Sequence, residues 1–348
     1  MTRAFAILAE PASYTEDRNH AVYDKLGIGY CYMHGESLAV ADASESLDVL
    51  PGKLLPLLQR LRQILRENEV VIMNGYSNIV FVLLFLLNFF YRRRIGIDSD
   101  TQLVIPAGRC KRILKALFLR FIFGNRYVYG LAGGTHTHKD LFRHYGMPEK
   151  RIFLMPMMVN NERFVHQSEQ KKGKFRFLYV GRIIDIKNIQ LLLDSFVHTY
   201  GNNSEVALYV VGKGDLLDTY RLRYGKYANI VFTGPKYGQE LVQAYAEAHV
   251  LVLPSSVEPW GLVVNEAMAA GLPCIVSDCV GAAWDLVDGK ETGFIFRHDD
   301  AEALSRCMLQ LSENPDLYAR YAANAYRLMH DEWNYAFYQK CLMEFLEA

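Results

Sequence analysis

The chain repeatedly alternates short apolar runs rich in Val, Ile, Phe and Tyr with longer stretches whose apolar residues recur at helical spacing. FAILAE, EVVIM, RYVYGL, FRFLYV, VALYVVG, HVLVLP and PCIVSD are of the first kind, and LLPLLQRLRQILREN is of the second. A strand with one face in water alternates apolar and polar residues, whereas one that is apolar throughout has both faces covered. Parallel sheets with crossover helices on each side meet that demand. The expected fold class is therefore α/β, with doubly wound sheets.

At 348 residues the chain exceeds what one hydrophobic core usually serves. The polar stretch HQSEQKKGK, residues 166–174, separates two series of strand and helix units, and a new strand opens in FRFLYVGR just after it. This predicts a first domain over 1–165 and a second over 166–330, both Rossmann-like. The tail 331–348 contains WNYAFYQKCLMEFL, too aromatic to float free, and is expected to pack back on the first domain. Open α/β sheets bind ligands outside the carboxyl ends of their strands, so the two domains are expected to face each other across a cleft.

Charge and cysteine usage narrow the functional classes. Lys plus Arg and Asp plus Glu number 38 each, but residues 1–165 hold 21 basic against 15 acidic side chains. Nine of the basic ones lie between Arg92 and Arg126, beside only Asp98 and Asp100. A focused basic surface suits phosphates or an anionic membrane face. With zero net charge and no recognised motif, nucleic acid is not an expected partner. The six cysteines are scattered and form no zinc-type spacing, which points to a reducing, cytoplasmic setting. MTRAFAILAEP does not resemble a secretory signal. IVFVLLFLLNFFY, residues 79–91, is too short to span a bilayer and is expected to form a buried helix.

The most informative stretch is SSVEPWGLVVNEAMAAGLP, residues 255–273. Here HVLVLPSS is a strand entering a loop, Glu258 lies in that loop, and GLVVNEAMAA is a helix stopped by Gly271 and Pro273. The helix is apolar nearly all round, so Glu266 is a carboxylate in a poor solvent and needs donors close by. Those donors are either an internal partner, such as an Arg or loop amides, or a ligand diol such as ribose. The helix start beside Gly261 also offers free amides and a positive dipole end. In FLYVGRIIDIKN, Gly181 and Arg182 follow a strand and Lys187 comes five residues later; this set suits a diphosphate or is simply a charged surface. VVGKGDL, with Lys213, and FTGPKYGQELVQAYAEAH, with Gly234, Pro235 and Lys236, are further strand-to-turn elements that allow close approach of a flat ring or a phosphate.

These pieces resemble the nucleotide-sugar glycosyltransferases of the GT-B fold, specifically the retaining family four, often called group 1. The resemblance is carried by FLYVGRIIDIKN, VVGKGDL, the long stretch VFTGPKYGQELVQAYAEAHVLVLPSSVEPWGLVVNEAMAAGLPCIVSD, and GFIF. It implies that Glu266 holds the ribose diol, Arg182 and Lys187 the diphosphate, and Glu258 the hydroxyls of the transferred sugar. Backbone amides near Gly261, Leu262 and Val263 would add to phosphate binding, while Lys213 and Gly234, Pro235 and Lys236 would border the base. It further implies retention of anomeric configuration without a bound divalent metal or other cofactor, the nucleotide sugar itself being the donor substrate, with a UDP-sugar as the first guess. The implied acceptor is a glycan or lipid-linked glycan in cell-surface polysaccharide biosynthesis.

The first domain resembles the family only loosely, chiefly at LFRHYGMPEKRIFLMPMMVNNERF. Where relatives carry a donor-contacting His after an early strand, this chain has RRRIGIDSDTQL, which nominates Asp98 or Asp100. GGTHTHKDLF nominates His136, with Thr135 as a helix cap. AEPASYTEDRNH replaces a glycine-rich stretch and nominates Tyr14 and Arg18 for acceptor contact. Residues 110–126, CKRILKALFLRFIFGNR, suit either peripheral contact with anionic lipid at the inner membrane face or a core helix with a solvated basic edge. Competing readings are a non-catalytic two-domain sugar-binding protein, a glycosidase using the two glutamates as an acid and nucleophile pair, and a sugar-nucleotide epimerase.

Overall fold

A computed structural model describes residues 2–35, 47–164 and 173–348. The chain divides into two units, Met1–Met158 with Tyr335–Ala348, and Val159–Asn334. The boundary expected at 165/166 lies outside the described residues.

The first unit is a six-stranded parallel sheet made of β1 (Ala4–Leu8), β2 (Gly29–Tyr32), β3 (Val70–Asn74), β4 (Arg94–Ser99), β5 (Val128–Ala132) and β6 (Ile152–Leu154). Its order is β2-β1-β3-β4-β5-β6, so the winding reverses between β1 and β3. The helices are α1 (Ser13–Arg18), α2 (Asp24–Leu26), α3 (Leu54–Glu67), α4 (Ile79–Tyr91), α5 (Arg109–Gly124) and α6 (Thr137–His144). In α3 the buried residues are Leu57, Leu61, Ile64 and Leu65, the stripe that helical periodicity predicts. The expectation of a fully buried helix at 79–91 needs correction. Only Phe81, Leu84, Phe85 and Asn88 of α4 are buried, and Phe90 stays 85% exposed.

The second unit has β7 (Phe175–Val180), β8 (Val206–Val211), β9 (Ile230–Gly234), β10 (Val250–Leu253), β11 (Cys274–Ser277) and β12 (Gly293–Phe296). Their order, β12-β11-β10-β7-β8-β9, places the switch point between β7 and β10. Helices α7 (Ile189–Tyr200), α8 (Leu217–Tyr224), α9 (Gly238–Glu247), α10 (Leu262–Ala269), α11 (Ala301–Glu313) and α12 (Pro315–Arg327) cover its faces. All pairs in both sheets are parallel, as strands apolar at every position require.

The last helix, α13 (Tyr335–Leu346), belongs to the first unit. The Phe345 ring packs 5.7 Å from Tyr129 and 5.6 Å from Phe153, and the Arg94 guanidinium donates to the carbonyls of Leu346 (2.9 Å) and Ala348 (2.7 Å). The tail changes units at residue 335, not 331. Trp333 stays with the second unit because it stacks on Trp260 at 5.9 Å and its carbonyl accepts from Asn161 Nδ2 at 3.0 Å.

Candidate functional site

Two loops leave the carboxyl ends of β7 and β10, the neighbouring strands at the switch point of the second sheet. In the first, Gly181 and Arg182 lead to a tight turn at Asp185–Lys187, closed by Asn188 in the left-handed region (φ 52°). Asn188 Nδ2 donates to the His298 carbonyl at 2.8 Å, which holds the turn in place. The second loop is tied to the first through the Ser256 amide, which donates to the Ile186 carbonyl at 2.9 Å.

This backbone tie brings together two of the residues nominated from sequence. Lys187 Nζ donates to Glu258 Oε2, and both side chains are largely buried. Ser255 Oγ donates to the same carboxylate oxygen at 3.3 Å. A buried carboxylate so paired and bonded is fixed in direction. The exposed Arg182 guanidinium makes no ion pair among the described residues, while its carbonyl accepts from the Tyr179 hydroxyl at 2.8 Å.

Glu258 is followed by Pro259, Trp260 and Gly261, and α10 begins at Leu262. Trp260 is buried, donating from Nε1 to Asn265 Oδ1 at 2.7 Å. Gly261 has φ 95°, a conformation costly for other residues, and a Cβ there would press within 3.2 Å of Glu258 Cγ. The corner thus turns the chain sharply enough to set Glu258 beside the start of α10. Glu266, one turn on, keeps part of its surface to solvent but is crowded on most sides. That desolvation raises its carboxyl to about 7, an effect partly opposed by the Tyr245 hydroxyl, which donates to Oε2 at 2.6 Å. Glu266 makes no ion pair among the described residues. The two glutamates therefore have different partners and different environments.

The loops after β7, β8 and β9 are stitched edge to edge. The Gly181 amide donates to the Val211 carbonyl (3.0 Å), Ile183 to Lys213 (2.8 Å), and Gly212 to Gly234 (2.9 Å). Gly212 has φ 151°, and a Cβ there would collide with the Gly181 carbonyl, so the approach of these loops depends on that glycine. Lys213 and Pro235 are exposed. Lys236 is half-buried and lines a cavity of about 150 Å³ under α9 with Arg176, Tyr209, Thr233 and Glu240. Leu262 and Val263, in the first turn of α10, are half-buried.

In the first unit, Arg18 and Asp98 lie together, with Nη1 3.8 Å from Oδ2, and Asn74 Nδ2 donates to Asp98 Oδ2 at 2.9 Å. The Arg18 guanidinium also sits 5.1 Å from the Tyr23 ring centre and 5.6 Å from that of Tyr338 on α13. Burial pushes the Asp98 carboxyl up to about 6 against the opposing charge of Arg18. Asp100 is exposed, and Tyr14 is half-buried with its hydroxyl shifted upward by burial. His136 is exposed and occupies the N-cap position of α6 without a side-chain cap. The N-cap position is His136 and not Thr135, so the helix starts one residue later than the sequence suggests.

Sequence reasoning missed Tyr245, Ser255 and Asn188. Tyr245 lies 21 residues before Glu266 on another helix, so only its burial was readable, not its partner. Among the described residues, Asp278, Cys279 and His298 bring potential metal-ligating atoms within 4.8 Å of one another. Asp278 Oδ1 already accepts from the His298 amide at 2.9 Å, a bond that accounts for the grouping. A cavity of about 700 Å³ between α7 and α11 contains none of the nominated residues.

Comparison with known proteins places this geometry. Residues 160–328, nearly the whole second unit, match the family described as glycosyl transferases group 1. D-inositol 3-phosphate glycosyltransferase of Streptomyces scabiei is 30% identical over 217 residues, covering 56% of this chain and 48% of that protein. GDP-mannose-dependent alpha-mannosyltransferase of Mycobacterium tuberculosis is 36% identical over 173 residues, covering 47% and 43%. The chain spans about half the length of the curated relatives it matches. In fold it is similar to Anabaena HepE, solved in complex with UDP, with a TM-score of 0.80 over 100% of both chains at 16% identity. The chain accordingly has the two-domain, Rossmann-like GT-B fold, and residues 160–328 belong to the group 1 glycosyl transferases.

Proposed function

We propose that the protein is a retaining, metal-independent glycosyltransferase. In this reading it moves a hexose-type sugar from a nucleoside diphosphate, UDP first, to a glycan or lipid-linked glycan in cell-surface polysaccharide biosynthesis. The observation that carries it is the clustering at one switch point of a fixed Lys187–Glu258 pair, an exposed Arg182 and a half-buried Glu266 without an ion-pair partner. A carboxylate that protein leaves short of donors is a ready acceptor for two adjacent ribose hydroxyls. Arg182, Lys187 and the amides of Gly261, Leu262 and Val263 supply donors for a diphosphate. Glu258, held in direction by Lys187 and Ser255, accepts from hydroxyls of the transferred sugar. Lys213 and Gly234, Pro235 and Lys236 flank the base.

Such a site accelerates transfer by stabilising the departing diphosphate with groups already in position. The relative named as GDP-mannose-dependent and the neighbour bound to UDP support a nucleotide-linked donor, without choosing the base. In the first unit, Tyr14 and Arg18 remain the nominees for acceptor contact, Asp98, Asp100 and His136 those for the cleft, and the segment 110–126 that for peripheral contact with an anionic membrane at the cytoplasmic face. The test is a melting-temperature panel with UDP, GDP, ADP and their sugar conjugates. One nucleotide family should raise the melting temperature of the native chain and fail to raise that of Glu266→Ala; no shift with any of them would overturn the reading.

A further inference from the structure

The first unit exposes an unusually apolar helix pair. α4 and α5 touch through Phe85 and Phe121, whose rings lie 5.7 Å apart, and both present hydrophobic side chains outward. Phe90 is 85% exposed, Leu114 67% and Leu117 64%, joined by Leu86, Phe89 and Phe121. In a soluble helix the exposed face is polar; here the outward face of α5 is apolar and interspersed with Lys111, Arg112 and Arg120. Residues 70–97 and 101–139 contain no Asp or Glu at all.

At the ends of these helices lies a cavity of about 250 Å³, walled by Phe85 and Phe89 and lined by Arg92, Arg126 and Tyr127. Arg92 and Arg126 are exposed and make no ion pair among the described residues; Arg126 donates to the Tyr127 hydroxyl at 2.7 Å. Arg92 N–H donates to the Asn88 carbonyl (2.8 Å), and the Arg151 guanidinium donates to the carbonyls of Phe123 (3.1 Å) and Val128 (2.9 Å). The cavity opens at the amino ends of β4 and β5, the opposite edge of the sheet from Asp98 and His136.

We infer that this cavity binds the phosphate headgroup of an anionic phospholipid while the outward faces of α4 and α5 enter the acyl region beside it. The inference rests on the membrane-contact reading above and not on transfer chemistry. Two guanidiniums in a concave site with aromatic walls match a phosphodiester, and the surrounding apolar and basic surface matches the bilayer that carries it.

Flotation of the full chain with vesicles of phosphatidylcholine alone, or mixed with phosphatidylglycerol, over a salt series tests it. The chain should float with the anionic vesicles, and less as salt rises. Charge-matched Lys111→Gln/Arg112→Gln should weaken binding about thirty-fold, from two surface charges. Arg92→Gln/Arg126→Gln should weaken it about ten-fold further, because charged hydrogen bonds are also lost. Equal losses would overturn the headgroup site, and no flotation at low salt would overturn the docking face altogether. Vesicle-free sedimentation showing a dimer that Phe90→Ser abolishes would assign the face to a second copy and overturn the proposal. Vesicle binding without any nucleotide-induced rise in melting temperature would sink the transfer reading and leave this one standing.

Discussion

Lys187 Nζ and Glu258 Oε2 form a buried ion pair that joins the loops after β7 and β10. Removing either partner strands the other charge, which costs about 3 kcal/mol of stability. Lys187→Met and Glu258→Gln should each lower the urea midpoint accordingly, and the double variant should recover most of it. All three should lose transfer activity. A double variant that recovers activity along with stability would show that the pair only holds the loops together.

If Glu266 holds the nucleotide as proposed, it links binding to pH. Its carboxyl is raised to about 7 from an ordinary 4.5, so the folded chain keeps this proton to higher pH than the unfolded chain does. The group therefore favours folding at low pH, and that contribution falls as pH climbs from about 4.5 to about 7, by at most about 3 kcal/mol. Glu266→Gln should be the more stable protein at pH 8 and the weaker nucleotide binder. Wild-type nucleotide affinity should decline below pH 7 as the carboxylate is lost, and calorimetric titrations at pH 6 and 8 would check both effects.

Gly212 is where the β7 and β8 loops come closest. Gly212→Ala drives a methyl into the Gly181 carbonyl at a backbone angle that L residues rarely adopt. The expected cost is about 2–4 kcal/mol. Because the displaced backbone carries Gly181 and Arg182, nucleotide affinity should fall even under conditions where the variant is folded, as a melting curve and a nucleotide titration on one preparation would reveal.

Asp98 gives the first unit its own pH response. Burial raises its carboxyl from 3.8 to about 6, so its contribution to stability is full below pH 4 and lost as pH rises through 6. Asp98→Asn should match wild type near pH 4, where Asp98 is itself protonated, and should be the more stable protein above about pH 6, because it no longer carries this decline. The comparison is read from wild-type minus variant denaturation free energies across pH 4–7.

Much of the architecture was legible because strands such as β1, β8 and β10 are covered on both faces and so are apolar throughout. The burial of Glu266 was legible too, from the apolar residues around it on α10. What stayed hidden depends on distance along the chain. The Lys187–Glu258 pair spans 71 residues, and Tyr245 reaches Glu266 from a different helix. Composition also misled at α4: an all-apolar helix suggests complete burial, yet local pattern cannot say whether a neighbour exists to cover its second face. Trp333 shifted the change of units by a few residues because its stacking on Trp260 outweighs its place in an aromatic tail.

The position of α13 has a consequence for biosynthesis. Tyr129, Phe153 and Arg94 are translated long before Phe345 and the last carbonyls that they hold. A nascent chain emerging from the ribosome thus completes its second unit, Val159–Asn334, while its first still waits for a closing segment. Premature termination anywhere before Tyr335 would leave the earlier-made sheet with a bare aromatic face, a substrate for quality-control proteases.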